Sequence, residues 1–410
     1  MKYVLLCLIG AMYLPSLMDS NPIGGIQELG TLKTSDYLVL PTILTLLAMG
    51  TERFRTIATD LLPLLVTFLT WTLLGVLLIL PQYNFVWDRE FLFSLLKFGK
   101  FSVYVLLGML FTRAIKKERY RDVQLKAVIV SSIVNGAGLI YLFASQFLTI
   151  EAPADFGYDN TNGYGVLAAC SCAFLEGLLI NGLERTKVGY MSLIALVVSL
   201  LGLIVSDGRG AWVALFVASL YIVYKARRRL RRTVFVFSLL SGIVAVMYNY
   251  NDVFHEQVSH IIAPDDAYQS KMEENRAGIA GFDDGRRLTT AIEELSHLSD
   301  APVLGTGFFH RGGKTNLSIW GSHSFFIQVL LETGFVGCLI LLLLLVKMWK
   351  LSERSESRQA NLELPNKAAL ITAVVGGMSG EYFYGGVILL NVLIIFSSVG
   401  RLRSVRDETA

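Results

Sequence analysis

The chain has 410 residues, of which 53% are hydrophobic and only 17% charged. Soluble domains carry about 25% charged residues, so this composition excludes an ordinary soluble protein and indicates a polytopic membrane protein. The formal net charge of +3 is small; its distribution along the chain carries the information.

A membrane-crossing helix needs about 20 apolar residues, fewer where a span is short or re-entrant. Twelve stretches qualify: 3–18, 36–50, 61–81, 92–112, 124–148, 164–182, 189–206, 211–225, 233–249, 324–346, 367–380 and 384–400. The first follows Met1-Lys2 and reads as a span, because no small-x-small cleavage site follows it. The expected fold is therefore all-α, an integral membrane protein of about 12 transmembrane helices.

Basic residues orient these spans. The termini and every second loop hold 25 of the 36 lysines and arginines, with the densest run at Lys225 to Arg232. Nine lie on the opposite side, and Lys97 and Lys100 lie inside the fourth span. Both termini then face the cytoplasm. A long polar segment, 249–322, faces outward as one large loop, between spans 1–9 (1–248) and spans 10–12 with a tail (323–410). Leu288, Ile292, Leu295 and Leu298 recur in it at helical spacing, which predicts a short amphipathic helix. On the basic side, Glu353 to Asn366 is expected to be a solvated loop.

The cysteines, Cys7, Cys170, Cys172 and Cys338, sit in apolar stretches without ligand or disulfide spacing and read as small core residues. The pairs Asp265-Asp266, Glu273-Glu274 and Asp283-Asp284 lack histidines at ligand spacing, so no metal site is expected there.

The outer side collects the candidate chemistry. Arg209 stands where two spans meet, in Ser206-Asp207-Gly208-Arg209-Gly210-Ala211-Trp212. A guanidinium at a span boundary needs a partner or water; it either snorkels beside Asp207 or binds an anion. Arg286 and Arg287 follow Gly285 in the polar loop, and arginine grips phosphate with two parallel bonds. Beside Arg209 they become a candidate diphosphate clamp; alone, such a pair is a solvated surface.

All five histidines lie between 249 and 337, and His323 stands where the tenth span begins. It either caps that helix or serves as a general base. Gly334 and Gly337, further along, suit close helix packing. Lys97 and Lys100 share a face of the fourth span and either line the same cavity or snorkel away. Asn162 lies in a turn-rich loop, Asp159 to Gly165, that leads into the sixth span. Glu381, near the outer end of the eleventh span, balances the arginines and rivals His323 as a base.

Three of these patches resemble the bacterial O-antigen ligase and polymerase superfamily. They are Asn160-Thr161-Asn162-Gly163-Tyr164-Gly165, then Ser206 to Trp212, and then the outer loop. The loop holds Gly285-Arg286, Pro302-Val303-Leu304-Gly305-Thr306-Gly307, and His323-Ser324 followed by Gly334 and Gly337. That last spacing is similar to the ligase motif, and related polymerases carry similar sequences. Thr290 departs from the family, which often has tryptophan there.

The resemblance covers about 150 to 345 and implies a glycosyltransferase of the GT-C type that uses neither metal nor cofactor. It implies a glycan donor on undecaprenyl diphosphate and an active site on the periplasmic face of the bacterial inner membrane. It implies catalytic roles for His323, Arg209 and Arg286. Arg287, Lys97, Lys100, Asn162 and Glu381 are expected nearby as substrate-binding residues. The acceptor is expected to be lipid A–core, as in an O-antigen ligase, or a second lipid-linked repeat, as in a polymerase. Membrane lipid is an expected partner and nucleic acid is not. A secondary transporter is the reading from another class; the chain shows no inverted repeat of interrupted spans to favour it.

Overall fold

The computed structural model describes residues 62–79, 95, 98–99, 102–103, 118–147, 161–181, 187–206, 209–250, 295–299, 301–307, 324–353 and 363–378. The described elements are helices joined by turns, with no strand among the described residues. The helices are α1 (Leu62–Ile79), α2 (Glu118–Phe147), α3 (Thr161–Ile180), α4 (Lys187–Val205) and α5 (Arg209–Ala226). A 3-10 turn (Arg227–Arg229) leads into α6 (Leu230–Tyr250), and α7 (Phe325–Glu353) and α8 (Glu363–Gly377) complete the set.

Seven of the expected spans coincide with α1 to α7 to within a few residues at most ends. The exceptions are the start of α2, six residues before the expected 124, and the end of α7, which reaches Glu353, seven residues past the expected 346. Among the described residues, three stretches are long and apolar enough to cross a membrane: Val188–Val205, Arg231–Asn249 and Phe325–Lys350. Shorter apolar helices occupy Pro63–Leu77, Val128–Tyr141, Gly165–Ile180 and Gly210–Ala226. The candidate spans at 3–18, 36–50 and 384–400 lie outside the described residues, as does most of 92–112.

The helices are apolar on nearly every face, as buried or membrane helices are. α3 is the centre, with every side chain from Gly165 to Ile180 buried. Against it pack α4, α5 and α8, and α2 packs on α4. α2 and α4 come close because small residues meet: a Cβ on Gly202 would lie 2.7 Å from the Cα of Gly136. Ser199 donates its hydroxyl to the carbonyl of Ser132 at 3.1 Å across the same seam. Small residues and such bonds hold helices together where lipid offers no hydrophobic drive. The outward faces remain apolar: Phe216 is 63% exposed, and Val213, Leu220, Phe335, Leu339 and Leu343 are exposed too. Cys170 and Cys172 are buried in the core, as expected, and Cys338 is half-buried.

The expected solvated loop to Asn366 needs correction. α8 starts at Glu363, with a carboxylate in its first turn and Pro365 just inside, where a missing N–H costs nothing. Asn366 is fully buried, and Lys367 is 3% exposed and bonded to Glu363 at 2.8 Å. Lys367, expected on the basic-side loop, is a buried part of the helix.

Contacts order the two ends of the bundle. At the end of α3 near Gly165, the turn between α4 and α5 and the last residues of α8 come together. At its other end, Asn181 meets Arg229, beside the arginine-rich turn. These ends are 16 residues apart, about 24 Å along a helix at 1.5 Å per residue.

Candidate active site

Two of the three sequence patches meet at the end of the bundle away from the arginine-rich turn. A Cβ on Gly165 would fall 2.5 Å from the hydroxyl oxygen of Ser206 and 3.7 Å from the Cβ of Ala211. Residue 165 therefore has to be small for the first patch to seat on the second. Ser206 ends α4 by donating its hydroxyl to the Leu203 carbonyl at 2.8 Å. Its own N–H reaches the same carbonyl at 3.2 Å. Arg209 is the first residue of α5, and Asn162 is the second residue of α3. Gly376, near the end of α8, lies against Val166. The chain thus brings Asn162, Ser206, Arg209 and the end of α8 to one end of the bundle.

The third patch is a single stitched unit. α7 breaks at Gly334, whose φ of 66° and ψ of −173° only glycine adopts readily. The break is filled by the segment 301–307. Thr306 N–H donates to the Leu331 carbonyl at 2.8 Å, and Gly307 N–H to the Glu332 carbonyl at 3.0 Å. In return Phe335 N–H donates to the Pro302 carbonyl at 2.9 Å. A Cβ on Gly334 would lie 2.2 Å from the Val303 carbonyl oxygen. Gly305, at φ +73°, sits equally close to the backbone of Glu332. Buried backbone groups need partners, and here loop and helix exchange theirs.

Helix α1 closes this unit from the side. Trp71 donates its indole N–H to the Thr333 carbonyl at 2.9 Å. Gly337 faces both partners: a Cβ there would lie 2.2 Å from the Thr333 hydroxyl oxygen and 3.2 Å from the Trp71 ring. Just above the break, Gln328 donates its amide to Glu332 at 2.8 Å, and both side chains are buried. The expected packing role therefore holds for Gly337. Gly334 differs: it is a backbone break that receives a loop. Of the expected amphipathic helix, Leu295 and Ser296 are helical and continue into a 3-10 turn, His297–Ser299, that packs on α7.

His323, Arg286, Arg287, Lys97, Lys100 and Glu381 lie outside the described residues, as do the side chains of Arg209 and Asn162. Ser324 is described, and its carbonyl accepts the Gln328 N–H at 3.0 Å in the first turn of α7.

Four residues escaped the sequence reading. Trp71 lies 262 residues from its partner Thr333, and nothing local marks it. The Gln328–Glu332 pair was legible as polar residues four apart on an apolar helix. Glu176 was also legible, as a lone carboxyl in an apolar span, a pattern that marks function by default. It is fully buried in α3 and accepts the Ser219 hydroxyl at 3.0 Å. Its second oxygen has no hydrogen-bond partner among the described residues.

No curated protein matches the chain. The family model for O-antigen ligase does, over residues 194–342. The matched segment runs from α4 through Arg209 and the polar loop to the lower half of α7, and so contains the whole stitched unit from 301 to Gly337 apart from Trp71. Over this segment the chain is similar to the O-antigen ligase family.

Proposed function

We propose that the protein is a glycosyltransferase that moves a glycan from undecaprenyl diphosphate to lipid A–core, as an O-antigen ligase. One observation carries this reading: the family match over 194–342 holds Arg209, Arg286 and His323 in a single segment. The start of α5 at Arg209, beside the first patch and away from the arginine-rich turn, supports it.

In this reading the chain crosses the inner membrane about twelve times, and residues 249–322 form a periplasmic loop over the site. An acceptor hydroxyl oxygen attacks the anomeric carbon of the donor. The carbon–oxygen bond to the diphosphate breaks, and undecaprenyl diphosphate leaves with the electron pair. His323 takes the hydroxyl proton. Arg209 and Arg286 stabilise the charge that grows on the leaving diphosphate, the role a metal fills elsewhere. Arg287, Lys97, Lys100, Asn162 and Glu381 contribute to holding the two substrates.

The test uses purified enzyme with donor and acceptor, comparing wild type, His323→Ala and Glu381→Gln across pH. General bases contribute about 10²- to 10⁴-fold, so His323→Ala is expected to lose transfer by that order while still inserting. Activity rises with pH to a plateau as the base loses its proton, and His323→Ala lacks that rise. A His323→Ala enzyme with full turnover and the same rise sinks the assignment. If Glu381→Gln removes the rise instead, the carboxylate is the base. A deletion strain separates the acceptors: total loss of O-chains with accumulated lipid-linked polymer means ligase, and single-repeat caps mean polymerase.

A further inference from the structure

The opposite end of the bundle carries a cavity that the transfer reaction does not use. It measures about 260 Å³ and is lined by Asn181, Tyr221, Lys225, Ala226, Arg229, Glu363 and Leu364. Three elements meet there: the end of α3, the end of α5 with its 3-10 turn, and the start of α8.

Its charge balance is uneven. Glu363 is the one acidic residue of the lining, and it is already matched by Lys367 at 2.8 Å. Lys367 is itself fixed, with its ammonium 4.7 Å above the Trp349 ring, and Trp349 stacks edge-on against Tyr221 at 5.7 Å. The carboxylate is therefore held on its own helix by a buried partner. Lys225 has no ion pair among the described residues. Arg229 spends Nη1 on Asn181 and the Ile180 carbonyl, which closes the end of α3. Its Nε and Nη2 make no described hydrogen bond. Arg227 adds positive charge in the same turn. The lining thus presents a guanidinium and an ammonium around the cavity.

We propose that this cavity binds a phosphate group, with Arg229 and Lys225 as its cationic ligands. A guanidinium edge offers paired donors to phosphate oxygens, and a lysine adds a point charge. The group comes either from an anionic phospholipid headgroup at that membrane face or from free phosphate. The site stands apart from the glycosyl-transfer reading, since its test reads binding alone.

The experiment uses the full chain in detergent with two probes. Retention of phosphatidylglycerol is read by native mass spectrometry, and inorganic phosphate is titrated by calorimetry. Wild type is expected to retain the lipid, and Lys225→Gln/Arg229→Gln to retain at least tenfold less. Arg231→Gln, at the same end but outside the lining, is expected to match wild type. Because Arg229 also closes α3, Lys225→Gln alone is measured beside it and is expected to weaken retention severalfold at an unchanged unfolding temperature. Phosphate binding that the double variant abolishes identifies free phosphate as the source. Neither probe binding to wild type, or equal binding by wild type and both variants, overturns the proposal.

Discussion

Phe335 gives its backbone N–H to Pro302 across the break in α7, at 2.9 Å. That one bond ties the segment 301–307 to the helix that begins beside His323. It exists because Gly334 turns the chain out of helical geometry and leaves the Phe335 N–H without its usual partner one turn back.

Gly334→Ala is expected to damage this unit twice. The backbone conformation costs a residue with a Cβ about 1–3 kcal/mol, and the new methyl would overlap the Val303 carbonyl. The unfolding temperature of the purified protein should fall by several degrees, with transfer activity lost alongside it. An unchanged midpoint with full activity would show that the loop does not depend on the break.

Trp71→Phe keeps the ring and removes one donor. The Thr333 carbonyl then loses its partner at 2.9 Å, a change of about 0.5–1.5 kcal/mol for an ordinary hydrogen bond. Transfer is expected to drop a few-fold with little change in expression. Trp71→Ala, which also removes the ring against Gly337, should be clearly worse. A Trp71→Phe variant with wild-type transfer would mean that the indole N–H contributes nothing.

Arg209→Lys tests the proposed diphosphate contact. Lysine keeps the charge and lacks the planar two-point grip. Losing a hydrogen bond to a charged group costs about 1.5–3 kcal/mol, so donor binding should weaken about ten- to hundredfold. Arg209→Ala is expected to be only slightly worse. A lysine variant with wild-type turnover would assign the arginine a structural role at the start of α5.

Orientation is tested with Ser270→Cys in the polar loop. An impermeant thiol reagent should label it in intact spheroplasts. Cys170 and Cys172, buried in the core, should stay unlabelled in the folded protein. Labelling of residue 270 only after lysis would place the loop in the cytoplasm and remove the proposed mechanism.

Gly202→Ala probes the seam between α2 and α4. The added methyl would meet the Gly136 backbone at 2.7 Å, where no flexible side chain can yield. Forcing the helices apart also stretches the Ser199–Ser132 bond. The unfolding temperature should fall, with the donor affinity of the surviving folded fraction unchanged. Wild-type stability would mean the helices separate at no cost.

The sequence by itself determined the helical class, most of the helix ends and the likeness to the O-antigen ligase family over 194–342. Hydrophobic runs are local, so α1 to α7 were legible from composition alone. The start of α8 was not, because Asn366 and Lys367 look solvated in sequence. They are buried because α8 packs on α3, with Pro365 beside Gly177, and because Glu363 and the Trp349 ring hold Lys367. The candidate residues Arg209 and Asn162 were legible as polar residues at span boundaries. Their arrival at one end of the bundle is tertiary, set by Gly165 seating on Ser206 and by α8 lying against α3. Gly334 shows the limit most clearly. Glycine after an apolar run is compatible with packing or with a break, and only the carbonyl and N–H groups of residues 301–307 decide between them. Those partners lie some 30 residues away in the chain, and Trp71 lies 262 away from Thr333. No local pattern encodes such contacts, because they arise from the requirement that every buried backbone group find a partner once the helices have packed.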